Sequence, residues 1–164
     1  MILVVDGSPL ITLARIGSLE LLHRLAIQVV VPEAVYHECV TRAQGRPGSI
    51  ELAQADWIVR EQVKNQDKVA RLHTRVGRGE AETIVLAQEI HADAVILDDA
   101  TARHMAKGEG CRVVGLLGLL LEGKQRGLIP AVQPLLDLMR TTGFFIGEAL
   151  YMNILRQAGE GSHD

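Results

Sequence analysis

Two short apolar segments of this chain each end in carboxylates at the point where a helix begins. Residues Ile2–Val5 are followed by Asp6 and then by Ser8-Pro9, which predicts a helix capped by Ser8 with proline in its first position. Residues 94–97 are also apolar, and Asp98-Asp99 and another helical pattern follow them. Strands and helices that alternate in this way form right-handed crossovers and a mostly parallel sheet covered by helices.

The rest of the chain continues the alternation. Aromatic residues make up only 3% of the 164 residues, so aliphatic side chains must fill the core, as in an α/β protein. Further strands are predicted at residues 28–31, 57–59 and 112–114. Further helices are predicted at residues 32–43, 66–76, 80–90, 116–126, 131–141 and 147–157.

These elements predict one domain over residues 1–158. Its part from about residue 116 to residue 158 is helical, and we expect these helices to cover the sheet or to form a dimer surface. Residues 159–164 are predicted to be a disordered tail.

Several protein classes are disfavoured by composition and spacing. Cys39 and Cys111 fit neither a disulfide framework nor a zinc motif, and the six histidines have no zinc-type spacing. The start of the chain lacks the pattern of a signal peptide, so we expect a cytoplasmic protein. The longest apolar stretch, residues 113–121, is too short to span a bilayer. A formal net charge of -3 gives no global attraction to nucleic acid, although local basic clusters could still bind it.

Five carboxylates at the edges of apolar segments are the candidate site. Carboxylates that meet at the end of a parallel sheet repel one another and lose hydration, so they need a cation or protons. Hard oxygen ligands favour Mg²⁺ or Mn²⁺. The five candidates are Asp6, Glu38, Glu80, Asp98 and Asp99.

Local patterns refine this set. Glu38 follows apolar residues at i−4 and i−3, which predicts that it lies on an apolar helix face. Glu80 is preferred to Glu82, which lies about 200° further around the same helix. Of Asp98 and Asp99, one is expected to face the site while the other caps the next helix, because adjacent side chains diverge. Asp6 as a turn residue and Glu80 as a partner of the helix dipole are the structural alternatives.

Four motifs resemble one protein family. They are VVDGSPLI at positions 4–11, VPEAVYHE at 31–38, GRGEAETI at 77–84 and ILDD at 96–99, and GLIP at 127–130 extends the match. In these motifs the chain resembles the PIN-domain proteins of the DUF3368 type, a prokaryotic group described as predicted nucleic-acid-binding proteins. The resemblance covers nearly the whole chain and implies a three-layer PIN-like fold. Gly7 departs from the Thr, Ala or Ser often found after the first aspartate.

The resemblance also implies a function. Asp6, Glu38, Glu80 and Asp98 or Asp99 would take the acidic positions of the family, with Ser8 as a supporting hydroxyl. They would surround one or two Mg²⁺ or Mn²⁺ ions, and the implied activity is metal-dependent RNA cleavage. Ribonuclease toxins of toxin–antitoxin pairs belong to the PIN domains, which implies an antitoxin partner and a homodimer.

Cations near the acidic centre could hold phosphates on either side of a scissile bond. A solvated surface role is the alternative for each of them. The candidates for RNA contact are Arg71, Arg75, Arg78, Arg103 and Lys107.

Two other functions compete with the nuclease. A binding module could keep the sheet but bind metal too weakly for turnover. A phosphatase or receiver-like phosphoacceptor could use Asp6 as a nucleophile, although the chain lacks the common Asp-x-Asp pattern at this position.

Overall fold

The structure, a computed structural model, describes residues 1–161 and has a five-stranded parallel sheet at its centre. The strands lie in the order β3-β2-β1-β4-β5, and every neighbouring pair is parallel. The strands are β1 Ile2–Val5, β2 Gln28–Pro32, β3 Ile58–Glu61, β4 Ala94–Ile96 and β5 Val113–Val114. The predicted α/β class and the three-layer arrangement are confirmed.

Alternate residues of each strand enter the two different cores of the molecule. Leu3 and Val5 face a larger core, whereas Val4 faces a smaller one. This division follows from the two-residue period of a strand, and it explains why β1 is apolar on both faces.

Helices build both outer layers. Five of them, α1 Gly7–Arg15, α2 Glu20–Leu25, α8 Leu116–Gln125, α9 Gln133–Thr141 and α10 Glu148–Gln157, contribute buried leucines, isoleucine or methionine to the larger core. The smaller core is covered by α5 Gln66–Leu72, α6 Arg78–Glu89 and α7 Ala100–Gly108. The short helices α3 Glu33–Tyr36 and α4 Ser49–Gln54 lie towards the larger core.

The strand order creates a switch point between β1 and β4. The chain passes outward from β1 through β2 to β3 and then returns to β4 on the other side of β1. In open parallel sheets, ligands bind beyond the carboxyl ends of the strands at such a switch point. Asp6 follows β1 directly, and Asp98 lies two residues beyond the end of β4.

Three predicted helix boundaries are wrong. Helix α1 begins at Gly7, so Asp6 occupies the cap position and Ser8 does not cap the helix. The helix predicted at residues 32–43 becomes α3 followed by a π-helical turn, His37–Thr41. The helix predicted at residues 66–76 ends at Leu72, where side chains and turns take over the backbone hydrogen bonds. The short helices α2 and α4 were not predicted, because six residues carry too little periodicity.

The C-terminal helices share the larger core with the sheet. Glu160 lies beyond residue 158, where the ordered domain was expected to end. Its carboxylate nevertheless accepts hydrogen bonds from Lys124 Nζ and from the backbone N–H groups of Val132 and Gln133. The remainder of the predicted tail, residues 162–164, lies outside the described residues. Within residues 1–161, no helix has both the length and the apolar character needed to cross a membrane.

Candidate active site

Asp6 is a buried carboxylate at the carboxyl end of the central strand. Its residue is 7% exposed, and its Oδ1 accepts a hydrogen bond from the Thr83 hydroxyl at 3.1 Å. Burial raises the pKa of Asp6, and the charges of Asp98 and Glu38 raise it further. The N–H of Gly7 and the Thr83 hydroxyl act in the opposite direction but do not cancel this effect. The surroundings of Asp6 therefore supply too little positive charge to stabilise its ionised carboxylate.

Asp98 and Asp99 diverge as expected, and each has a distinct set of contacts. Asp99 Oδ2 accepts a hydrogen bond from Ala102 N at 2.9 Å and caps α7. Asp98 Oδ1 accepts a hydrogen bond from Leu116 N, the first residue of α8, at 3.1 Å. Asp98 Oδ2 is buried and has no hydrogen-bond partner among the described residues.

The electrostatics of Asp98 match those of Asp6. Burial raises the pKa of Asp98, and neither the Leu116 N–H nor the Arg103 guanidinium offsets the burial. Buried polar atoms in proteins are nearly always paired, and the unpaired Asp98 Oδ2 is free to accept a hydrogen bond or to bind a cation. Each aspartate accepts one hydrogen bond, but only Asp98 keeps a buried oxygen without a partner among the described residues, whereas Asp99 is exposed.

Glu80 lies in the first turn of α6 and serves two purposes. Because α6 begins at Arg78, Glu80 is the third helical residue, and its Oε1 accepts a hydrogen bond from Gly77 N at 2.9 Å. Burial raises the pKa of Glu80, and the charges of Asp99 and Asp6 add to the increase. The structural alternative is therefore realised in part, since one oxygen of Glu80 stabilises its own helix.

Glu38 lies in the π-helical turn and is exposed. Glu38 is exposed instead of packed on the apolar helix face predicted for it, and the neighbouring Cys39 is buried in the core. The buried Cys39 side chain packs against Gly7, where an added Cβ would lie 2.9 Å from Cys39 Sγ. A Cβ at position 7 would therefore require Cys39 to shift.

A single cleft joins three of these carboxylates. Its volume is about 690 Å³, which lies within the range of small-ligand sites. Ser8, Thr12 and Cys39 contribute to its walls, and three arginines surround the acids. The charged residues that line the cleft are Asp6, Glu38, Glu80, Arg15, Arg46 and Arg78.

The family comparison agrees with this arrangement. The sequence profile of DUF3368, described as a PIN domain, matches residues 2–160. The chain belongs to the DUF3368 family of PIN domains. PIN domains are generally nucleases with a nuclease-type fold, and they typically use divalent metals. No curated protein matches this chain.

The PIN family implies a divalent metal, and the side chains of this PIN domain fit such a metal in part. Within residues 1–161, no three His, Cys, Asp or Glu side chains lie close enough together to hold a metal ion as they stand. The donor chemistry nevertheless fits a hard divalent cation, because Asp6 is buried, Asp98 is partly buried, both have raised pKa values and Asp98 Oδ2 is unpaired. Carboxylate donors thus lie around the carboxyl end of the sheet, but in their present positions they do not form a complete coordination shell.

The predicted RNA-contacting cations of this PIN domain separate into different places. Arg78 lines the acidic cleft, and the Arg103 guanidinium acts on Asp98 and packs over Gly115. Arg71 and Arg75 line a different cavity, together with Thr101 and His104. Lys107 is exposed on α7.

Sequence reasoning missed four residues at this site. Thr83 contacts Asp6 across 77 positions of sequence, although its place three residues after Glu80 on one helix face was a usable signal. Arg15 and Arg46 line the cleft, but nothing local in the sequence marks them. Glu82, which was set aside in favour of Glu80, is 5% exposed and lines a neighbouring cavity. Burial raises the pKa of Glu82, and Arg78 only partly opposes the increase.

Proposed function

We propose that this PIN domain is a metal-dependent endoribonuclease whose metal is held by Asp6 and Asp98. One observation carries the proposal. Asp6, which is buried, and Asp98, which is partly buried, lie beyond the ends of the adjacent strands β1 and β4, and their surroundings leave the pKa of both carboxyls raised. A bound cation would remove the repulsion between them and would pair Asp98 Oδ2.

The proposed ligand set is centred on these two aspartates. Glu38 and Glu80 line the same cleft as Asp6, and each could add an oxygen after a side-chain rotation. Asp99 is assigned to the helix cap instead, because its Oδ2 already accepts the Ala102 N–H. Mg²⁺ or Mn²⁺ bound here would supply Lewis-acid stabilisation of a phosphate and a water of lowered pKa.

Residues of the chain itself would position both the acids and the substrate. The Thr83 hydroxyl lies 3.1 Å from Asp6 Oδ1 and 2.8 Å from Gly79 O, and it would help to orient the Asp6 carboxylate when its single proton is donated to Asp6. Arg15, Arg46 and Arg78 line the cleft and are exposed, so they could pair with backbone phosphates on either side of the scissile bond. Their positive charges would also offset the repulsion between the acidic cleft and a polyanion.

RNA as the substrate, and a toxin role with an antitoxin partner, rest on the family resemblance. A toxin would slow bacterial growth when the wild-type gene is expressed, and Asp6→Asn would abolish that effect. Growth curves of matched expression strains measure it directly.

One observation favours a second candidate, a non-catalytic binding module. The carboxylates of the described residues do not form a finished metal site. A protein that only binds nucleic acid or a protein partner would not need one.

Cleavage assays separate the two candidates. Structured and single-stranded RNAs are incubated with purified protein in EDTA, in Mg²⁺ and in Mn²⁺, and a mock purification reveals contaminating nucleases. If the protein is a nuclease, cleavage should require metal and should be lost in Asp6→Asn. The exposed Glu51 lies on α4, away from the cleft, so Glu51→Gln is the matched control and should cleave like the wild type. RNA binding without cleavage in any buffer would support the binding module instead.

A further inference from the structure

A second cavity lies beside the acidic cleft and shares part of its wall. Its volume is about 430 Å³. Val35, Glu38, Arg78 and Gly79 line both cavities, so a strand bound in the cleft would pass the entrance of the second one. We refer to this second cavity as the Glu82 pocket.

Glu82 is the most buried charged residue that lines this pocket. The residue is 5% exposed, and no hydrogen bond to its side chain is formed within residues 1–161. Its nearest cationic atom is Arg78 Nε at 3.8 Å, which is too long for a hydrogen bond. Neither Glu82 oxygen is among the fully buried unpaired atoms of the described residues, so the carboxylate reaches the pocket and can accept hydrogen bonds from the N–H groups of a ligand.

The rest of the pocket suits a planar, polar ring. His37 is exposed on the wall and could stack on a base. Gln62 and Gln66 supply amide groups, and Arg78 Nη2 already donates a hydrogen bond to Gln66 Oε1 at 3.0 Å. Arg42 adds a cation at the rim.

We propose that the Glu82 pocket receives a guanine base of the RNA strand that lies in the acidic cleft, with the Glu82 carboxylate accepting the guanine N1–H and N2–H. The inference rests on the proposed ribonuclease function and adds a base preference to it. Glu82 is a specificity residue in this account and takes no part in the chemical step.

The pattern of hydrogen-bond donors selects guanine. The Watson–Crick edge of guanine presents two adjacent N–H donors, which match the two oxygens of a carboxylate. Adenine and cytosine present one amino group beside a ring nitrogen acceptor, and uracil presents one N–H between two carbonyl groups. Each of these three bases would place at least one acceptor against a carboxylate oxygen.

An arginine side chain of a protein partner also carries paired N–H donors. Glu33, Glu38 and Glu82 line the pocket together with Arg42 and Arg78, and Glu33 is already paired with Arg60, so the lining has no net positive charge. An RNA base is favoured over a basic peptide because the pocket shares its wall with the acidic cleft, where the strand would lie. The two arginines could pair with the phosphates of that strand.

Binding of short RNAs tests the pocket. The full-length Asp6→Asn protein is titrated with fluorescein-labelled oligoadenylate hexamers that carry one central guanosine, inosine or adenosine. The guanosine hexamer should bind about tenfold more tightly than the adenosine hexamer, and inosine, which lacks the N2 amino group, should fall between them. Adding Glu82→Gln should reduce the guanosine preference to about twofold or less, whereas Glu51→Gln should leave it unchanged. Thermal unfolding verifies that both variants are folded.

The outcomes separate this inference from the proposed function. Equal binding of the three hexamers, no binding of any of them, or a guanosine preference that survives Glu82→Gln would overturn the pocket. Metal-dependent cleavage by the wild type without a guanosine preference would support the proposed ribonuclease function and reject guanine binding in the Glu82 pocket. A Glu82-dependent preference without any cleavage would keep the pocket and reject the ribonuclease. If Glu82→Gln weakens only the binding of an arginine-containing peptide, the pocket is a protein-binding site and the inference is rejected.

Discussion

Asp98 and Glu160 are both partly buried carboxylates, yet their surroundings shift their pKa values in opposite directions. Glu160 accepts hydrogen bonds from Lys124 Nζ and from the backbone of Val132 and Gln133 at 2.7 to 3.0 Å. Burial alone would raise the pKa of Glu160, but the Lys124 ammonium and the two N–H groups lower it below its usual value. Asp98 accepts one hydrogen bond, keeps one buried oxygen unpaired, and has a raised pKa because of its burial.

The difference separates a structural carboxylate from a functional one. Glu160 is complete without a ligand and links α8, α9 and the end of the chain. Asp98 is incomplete, and it lies beyond the end of a parallel strand beside Asp6, where ligands bind in such sheets. Burial is therefore a poor guide to function by itself, whereas burial without hydrogen-bond donors is a better one.

The largest expected effect comes from Asp98→Asn. Removing this charge should reduce metal-dependent RNA cleavage by at least about a hundredfold, because the amide is a much weaker ligand for a hard cation. The free energy of unfolding in metal-free buffer should be unchanged or higher, since no buried charge remains at this position. Cleavage rates and urea unfolding measure the two quantities. A variant that keeps full activity would place the metal elsewhere.

Glu160→Gln should show the opposite pattern. The variant loses a charged partner of Lys124 and weakens two backbone hydrogen bonds, so the free energy of unfolding should fall by about 1 to 3 kcal/mol. RNA cleavage by the folded protein should stay at the wild-type level. Loss of cleavage at a temperature where the variant is fully folded would remove the contrast between the two carboxylates.

The pH dependence of stability should also differ in sign. The pKa of Asp98 is raised in the folded state, so its contribution to stability is complete below its usual value of 3.8 and is lost as pH rises through the raised pKa. The pKa of Glu160 is lowered, so its contribution is present above the usual value of 4.5 and is lost as pH falls through the lowered pKa.

Urea unfolding in EDTA across this pH range measures the effect. Relative to the wild type, Asp98→Asn should gain stability as pH rises from acid to neutral. The destabilisation by Glu160→Gln should disappear at acidic pH. Parallel curves for the wild type and both variants would contradict these assignments.

A smaller effect is expected from two glycines, one in each region. An added Cβ would lie 2.9 Å from Cys39 Sγ at Gly7 and 2.9 Å from Leu21 Cδ1 at Gly123. Each change to alanine should cost about 1 kcal/mol of unfolding free energy after the gain in helix propensity. Gly7→Ala should also lower cleavage severalfold because Cys39 adjoins Glu38, whereas Gly123→Ala should not. Equal activity in both variants would show that the Cys39 contact does not position the cleft.

The sheet was predictable because its information is local. Apolar runs such as Ile2–Val5 are bounded by residues that stop a strand, and their ends place Asp6 at the carboxyl edge. Which of Asp98 and Asp99 would face the site was not predictable, because the contact of Asp98 with Leu116 N depends on where α8 begins. The π-helical turn at Glu38 likewise depends on the packing of Cys39 against a residue distant in sequence.

Long-range contacts account for the other missed features. Thr83 reaches Asp6 only after α6 packs on the sheet, and Arg15 and Arg46 enter the cleft from separate elements. Glu160 contacts partners on α8 and before α9, and no local pattern near the end of the sequence marks these contacts.

We expect the strand-end carboxylates to bind a divalent cation and Glu160 not to bind one. Thermal unfolding of the wild type, Asp98→Asn and Glu160→Gln with increasing Mn²⁺ distinguishes the two sites. Mn²⁺ at roughly a hundred times its dissociation constant should raise the melting temperature of the wild type and of Glu160→Gln by about 5 to 10 °C and leave that of Asp98→Asn unchanged. An equal increase in Asp98→Asn, or no increase in the wild type, would contradict this expectation.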